Sequence, residues 1–279
     1  YYCTITAKQR NWKQGSICLC FQFLILLQRQ IRCIIWRVQN DKYQNQTERA
    51  NAVYYIGRSA CRAPATGLWV LLGGALLLRL VLALVTDGYP YDMSCFVAWG
   101  DKLASEGPAA FYSADYFADY PPGYILVLGL VSLVRKALQL SYESRWTYFL
   151  LALIPAICDC AAVVLLDHIS RRYMGQGRAQ RCLVLFAAFC PLTLFDTGIW
   201  KQIDGAFALP LLLCFWLLEE RRYLLAAVLY GVALAIKPQA LLFGPVLAAC
   251  FLAGIAVEQD RLRAFGRCFG GAALALLVP

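Results

Sequence analysis

Apolar residues along this chain fall into long blocks separated by short polar breaks, most of them rich in arginine. The blocks are Gly67–Val85, 148–166, 182–198, 205–218, Tyr223–Ile236 and 240–257, and a last one opens at Cys268. A helix rises about 1.5 Å per residue and a bilayer's hydrocarbon core is about 30 Å thick, so about 20 apolar residues suffice to cross it. The pattern therefore predicts membrane-crossing helices. The two shortest blocks, 205–218 and Tyr223–Ile236, gain length from Trp200 and Tyr223, residue types that sit at the membrane–water interface. The run 122–134 is too short for a comfortable crossing and predicts an amphipathic helix lying along the membrane instead.

Charge in the breaks decides the topology. Arginines gather at Arg171, Arg172, Arg178 and Arg181, then at Arg221 and Arg222, then at Arg261, Arg263 and Arg267. If the run 122–134 stays on one side, all three clusters share a side with Arg58 and Arg62. Lys and Arg concentrate in cytoplasmic loops, which favours that arrangement. The expected fold class is all-α: a polytopic transmembrane helix bundle with a long first external loop, residues 86–146, carrying an amphipathic helix.

Composition agrees and narrows the classes. The chain is 61% hydrophobic and 15% charged, against about 45–50% and about 25% in soluble domains. A soluble enzyme or a nucleic-acid-binding domain is excluded on those grounds. The formal net charge of +9 is unevenly spread, because residues 1–65 hold 10 Lys/Arg against 2 Asp/Glu. Two parts are expected: residues 1–65, an atypical polar and basic segment, foreign or mis-assigned, and residues 66–279, the transmembrane domain. A chain that opens on Tyr1, meets its first methionine at Met93 and stops at Pro279 inside an apolar run is expected to be a piece truncated at its C-terminus. The 13 cysteines lie largely in apolar runs, where Cys behaves as a small hydrophobe. With His168 as the sole histidine, a His-based metal site or triad is not expected.

Charged residues in or beside spans are costly and so are candidates for function. On the external side the chain places Asp87 and Asp92, then Asp119-Tyr120-Pro121-Pro122, then Trp200-Lys201-Gln202-Ile203-Asp204, then Lys237-Pro238-Gln239. Carboxylates, a lysine and amides on one face suit transfer of a group from an anionic lipid. An ionised Asp accepts the proton of an incoming hydroxyl, and Lys with backbone donors stabilises the departing phosphate. Within the spans, Asp159 is expected to make a polar helix–helix contact. Arg79 is expected to snorkel to the external interface. Of Asp196 and Asp204, both near the external edge, Asp204 is the better candidate.

These residues make the chain resemble the GT-C superfamily of integral-membrane glycosyltransferases, over roughly residues 66–257. Four blocks occur in order: an Asp after the first span, the DYPP element at 119–122, Gln202 with Asp204 after the run 191–196, and Lys237-Pro238-Gln239. DYPP, then an amphipathic helix, then a span bearing Asp159 is most similar to the dolichyl-phosphate-glucose transferase-like and bacterial mannosyltransferase-like branches. The resemblance implies a GT-C-like bundle that moves a hexosyl group from a polyprenyl- or dolichyl-phosphate-sugar donor to a hydroxyl of a glycan or glycolipid acceptor. It implies an inverting displacement on the external or lumenal face of a bacterial plasma membrane or an endoplasmic reticulum membrane. The implied partners are donor, acceptor and lipid bilayer, with no nucleic acid. The family's motif puts the catalytic base at Asp92, with Asp87 as the alternative. Lys237 would steady the lipid phosphate, while Gln202, Asp204, Gln239, Asp119 and Tyr120 bind substrate. No cofactor is certain: a divalent cation is the candidate, and no strong metal cluster is visible. The competing class is a multi-span transporter or lipid-carrier flippase, whose paired Gly/Pro-broken helices in two related halves are not evident.

Overall fold

A computed structural model describes residues 66–113, 116–256 and 260–275, and the expectation made for residues 1–65 lies outside these. The described residues are helical, with no strand among them. In chain order the helices are α1 (Thr66–Val85), α2 (Pro90–Glu106), α3 (Pro122–Ala137), α4 (Arg145–Met174), α5 (Arg178–Ala188), α6 (Asp204–Glu219), α7 (Tyr223–Ile236), α8 (Gly244–Ala256) and α9 (Arg261–Ala275). Proline opens α2 and α3, where a missing N–H costs nothing because the first turn has no internal acceptor for it. The Ser144 hydroxyl caps α4 by accepting from the Trp146 N–H at 3.2 Å. Gly107 and Gly175 end α2 and α4 at φ 78° and 68°, a conformation that a Cβ would penalise.

Four helical stretches are long and apolar enough to cross a membrane: Gly67–Val85, Arg145–Met174, Arg178–Trp200 and Pro238–Ala256. Tyr223–Ile236 is a shorter apolar helix. This is an all-α polytopic bundle, as the pattern predicts. Its helices pack in a continuous series, α1 on α4, α4 on α6, α6 on α7 and α7 on α9. Large apolar side chains such as Trp69, Val70, Leu77, Leu242 and Leu252 point outward, as lipid-facing positions do.

The segment after α1 forms two long helices where one was expected, with a single helical turn, Pro108–Phe111, between them. α2 and α3 pack together as a hairpin, in contact so close that a Cβ on Gly100 would stand 2.5 Å from the Leu128 carbonyl oxygen. The missed helix, α2, buries Met93, Phe96, Val97, Trp99 and Gly100, an i, i+3, i+4 stripe diluted by Asp92, Asp101 and Lys102. At the hairpin's far end Asp101 receives Arg135 Nη2 on both oxygens at 2.8 Å, together with the Ser132 hydroxyl. Burial pushes the Asp101 carboxyl upward, but the Ser132 hydroxyl and the Arg135 guanidinium outweigh it and hold it below the usual carboxylate range.

The hairpin leaves and returns at one place. Asp87 Oδ1, just past α1, lies 3.2 Å from Arg145 Nε, the first residue of α4. The segment between them therefore does not carry the chain across the bundle, in keeping with the topology chosen from loop charge. At the opposite end Arg172 pairs with Glu220 and Tyr173 hydrogen-bonds Glu219, which joins the last turn of α4 to that of α6.

The block 182–198, read as one helix, is broken. α5 stops at Ala188, a single turn restarts at Pro191, and residues Phe195–Trp200 wind as a π-helix. Proline cannot supply the N–H that would continue α5. One residue further on, the Ala188 carbonyl accepts from Arg79 Nη1 at 2.8 Å. The block 240–257 likewise begins as a 3₁₀ turn, Pro238–Phe243, before α8. The block at Cys268 belongs to α9, which starts earlier, at Arg261.

Candidate functional site

Four chain segments converge where the α2/α3 hairpin meets the bundle. Asp92 sits in the first turn of α2, where free N–H groups and the helix dipole favour a carboxylate. Gln202 Nε2, from the link between the π-helix and α6, donates to Asp92 Oδ2 at 2.5 Å. Two residues on, Asp204 opens α6 and pairs with Lys237, the residue that closes α7. Lys237 is 5% exposed. Its ammonium is held by a short β-like break, φ −149° and ψ 127°, that Pro238 imposes on the residue before it.

Tyr120 stands between these two pairs. Its ring packs on Phe96 and Trp99, each 5.7 Å away between centroids, and on Tyr124 at 5.1 Å. Burial pushes its phenol far above the ordinary range. The carboxylates of Asp204, Asp92, Asp119 and Asp196 push it further, in that order. Among the described residues that hydroxyl makes no hydrogen bond. A neutral phenol near carboxylates and yet unengaged is a donor open to an oxygen atom. The aromatic floor beneath it includes Trp99, whose Nε1 donates to the Phe117 carbonyl at 2.9 Å and ties α2 to the strand of chain leading into Tyr120.

The link 195–204 is shaped by unusual backbone. The π-helix aligns the Asp196 carbonyl to accept from the Gln202 N–H at 2.9 Å, and π segments recur at functional sites. Lys201 then turns the chain in the left-handed region at φ 63°, unfavourable for any residue with a Cβ. Its ammonium is buried, 1% exposed for the residue, donating to the Thr86 carbonyl at 2.7 Å and the Thr86 hydroxyl at 2.9 Å. Burial pulls the Lys201 ammonium down to about 8; the nearby Asp87 carboxylate opposes this and Arg145 adds to it. Sequence reasoning passed over Lys201, although a lysine directly after an apolar block is the signal for it.

The predicted site residues thus separate. Asp92 with Gln202, and Asp204 with Lys237, are brought together around Tyr120. Asp119 is exposed on the rim. Asp87 is a surface residue, two-thirds exposed and paired with Arg145. The Gln239 side chain is exposed. Arg79 does not snorkel. It is 1% exposed and pairs with Asp159 at 3.1 Å, because the broken α5 and the Asp159 carboxylate offer it acceptors inside the bundle. Asp159 is a helix–helix contact as expected, α1 to α4. His168 packs edge-on against Trp216, 5.7 Å between centroids. Every cysteine among the described residues is a free thiol. Among the described residues no group of three or more His, Cys, Asp and Glu is arranged to hold a metal ion.

Comparison with known proteins adds one finding. Residues 117–279, more than half of the chain, match the family model described as Glycosyltransferase family 87. No curated protein matches, and no solved structure does.

Proposed function

Because the chain belongs to glycosyltransferase family 87, membrane glycosyltransferases of the GT-C type, we propose that the convergence around Tyr120 is its active site. The donor in this reading is a polyprenyl-phosphate-linked hexose, and the acceptor is a hydroxyl of a glycan or glycolipid. Asp92 is the base. It takes the proton of the acceptor hydroxyl while that oxygen bonds to the anomeric carbon; the bond from that carbon to the phosphate oxygen breaks, and polyprenyl phosphate leaves with its electron pair. One displacement inverts the anomeric configuration. A phosphate leaving group needs little protonation, so no acid partner is required.

The remaining residues take supporting roles in this reading. Gln202 aims the Asp92 carboxylate, and Lys237 lends positive charge to the departing phosphate while Asp204 holds it in place. Tyr120 donates its free hydroxyl to a sugar or phosphate oxygen over the Phe96–Trp99 floor, an apolar surface suited to a pyranose face. Asp119 would meet substrate at the rim. Asp87, committed to Arg145 at the surface, is the weaker candidate for the base, and the exposed Gln239 is the weakest substrate ligand. The membrane is a bacterial plasma membrane or an endoplasmic reticulum membrane, with the hairpin on the external or lumenal side.

The observation that carries this reading is Asp92, anchored by Gln202 in the first turn of α2 beside the Asp204–Lys237 pair. The experiment is transfer by purified protein from a labelled polyprenyl-phosphate hexose. Wild type turns the donor over with inversion, Asp92→Asn does not but still binds it, and Asp87→Asn stays active. Full activity of Asp92→Asn overturns the assignment. Donor crossing a vesicle membrane without turnover would support a flippase instead.

A further inference from the structure

Arg79 and Asp159 form an ion pair inside the apolar bundle, their side chains 1% and 11% exposed. A buried pair is poor value for stability alone, since apolar side chains of similar volume often hold a fold as well or better. What this pair touches is more informative. Asp159 Oδ2 accepts from Arg79 Nε at 3.1 Å and from the Thr197 hydroxyl at 2.7 Å. Arg79 Nη2 donates to the Thr193 hydroxyl at 3.0 Å, and Nη1 reaches the carbonyls of Ala188 and Ala75 at 2.8 and 3.2 Å. The other carboxylate oxygen, Asp159 Oδ1, lies against Gly205, where an added Cβ would collide with it and approach the Pro155 carbonyl to 2.8 Å.

These contacts bracket one piece of chain. Thr193 and Thr197 precede the link that carries Lys201, Gln202 and Asp204, and Gly205 follows it directly. The same carboxylate therefore hydrogen-bonds one end of that link and packs closely against the other. Gly198, between them, nests against α1 where a Cβ would lie 3.3 Å from the Arg79 carbonyl oxygen. A left-handed Lys201 and a π-helix are both unfavourable conformations, which persist only where surrounding contacts over-determine them. The Arg79–Asp159 network supplies those contacts at the π-helix, and the Thr86 oxygens supply them at Lys201.

We propose that the Arg79–Asp159 pair, acting through Thr197 and Gly205, positions Gln202 against Asp92 and Asp204 against Lys237, and so serves the transfer step from inside the bundle. This rests on the reading of Asp92 as the base. The pair touches no substrate. Its effect is geometric, and a misplacement of about 1 Å in such a link is worth up to about a hundredfold in rate.

Thr197→Val tests it, since valine keeps the shape and deletes the hydroxyl. The full chain is assayed for transfer from the labelled polyprenyl-phosphate hexose, with its unfolding midpoint measured alongside. The expected result is kcat lowered about tenfold or more, a donor KM changed less than about twofold, an unmoved midpoint, and recovery in Thr197→Ser to within about twofold of wild type. Wild-type kcat in Thr197→Val overturns the proposal, as does failure of Thr197→Ser to recover, or a loss that tracks a fallen midpoint. The double variant Arg79→Leu with Asp159→Leu gives a second reading: folded protein with depressed kcat supports the proposal, and folded protein with full kcat sinks it. Asp92→Asn run in parallel separates the two ideas. Activity retained there defeats the Asp92 reading, whereas an inactive Asp92→Asn beside a fully active Thr197→Val defeats only the positioning role.

Discussion

The two ends of the bundle each hold carboxylates in a polar cluster, and they treat them in opposite ways. At the arginine-rich end Asp167 is 6% exposed and saturated, receiving Arg171 Nε at 2.9 Å and Gln180 Nε2 at 2.8 Å, while Gln180 also reaches Ser170. That cluster closes on itself and holds α4 to α5. At the hairpin end Asp92 and Asp204 each have a partner, yet the Tyr120 hydroxyl near them has none within the described residues, and Asp119, one residue before it, is exposed. Buried polar groups are ordinarily satisfied, so a satisfied cluster reads as structure and an open one as a place for a ligand. Charge alone does not separate them. Completeness of hydrogen bonding does.

The sharpest test of this contrast exchanges the two acids for amides. Asp92→Asn should lower transfer by about 10²–10⁴-fold, the usual contribution of a general base, with the unfolding midpoint nearly unchanged. Asp167→Asn should do the reverse, leaving kcat in place and lowering stability by about 1–3 kcal/mol, because Arg171 loses a charged acceptor. Equal loss of kcat from both would erase the distinction between the ends. Next in size is Lys237→Met, which leaves the half-buried Asp204 without its cation. kcat/KM should fall about a hundredfold if Lys237 serves the leaving phosphate, the size of effect expected of one charged donor in a closed site.

Smaller effects refine the contrast. Tyr120→Phe keeps the aromatic floor and removes one free donor, so kcat/KM should fall about tenfold, one uncompensated hydrogen bond's worth, with stability unchanged. Asp87→Asn breaks an exposed pair worth about 0–1 kcal/mol, so both transfer and midpoint should stay near wild type. A separate test is a pH dependence at Lys201. Its ammonium is held at about 8 in the fold against an ordinary value of 10.5. The folded state therefore disfavours the proton, a handicap fully present below about pH 8 and relieved as pH rises toward 10.5. The unfolding midpoint of wild type should gain on that of Lys201→Met across that window, and parallel curves would refute the burial argument.

Much of this was legible in the sequence because bilayers impose a coarse code. Block length predicted α1, α4 and α7, and arginine placement predicted that residues 86–146 return to the side they left. α2 was less visible, since its apolar stripe is interrupted by charges that look outward. Asp92, Gln202, Asp204 and Lys237 were named from their placement on the external side and the family resemblance, which preferred Asp92 to Asp87, five residues away; local sequence carries no reason for that preference. The difference lies in what each meets in space: Gln202 for one and Arg145 for the other. Arg79 was misjudged for a similar reason. Its acceptors include the Ala188 carbonyl and a carboxylate 80 residues further on, a pairing that no local pattern carries.

The π-helix at Phe195–Trp200 can also be seen as one residue more than an α-helical turn requires. Successive residues on an α-helix are rotated by about 100°. Deleting a single residue from this segment would close the wide turn that brings the Gln202 N–H to the Asp196 carbonyl, loosening the link that sets Gln202 against Asp92 while leaving composition and hydropathy almost untouched. In the opposite direction, a single-codon insertion into a plain spanning helix is enough to deliver a side chain to a new bearing. The link between the bundle's apolar frame and its polar centre is thus a matter of reading-frame arithmetic, one residue wide.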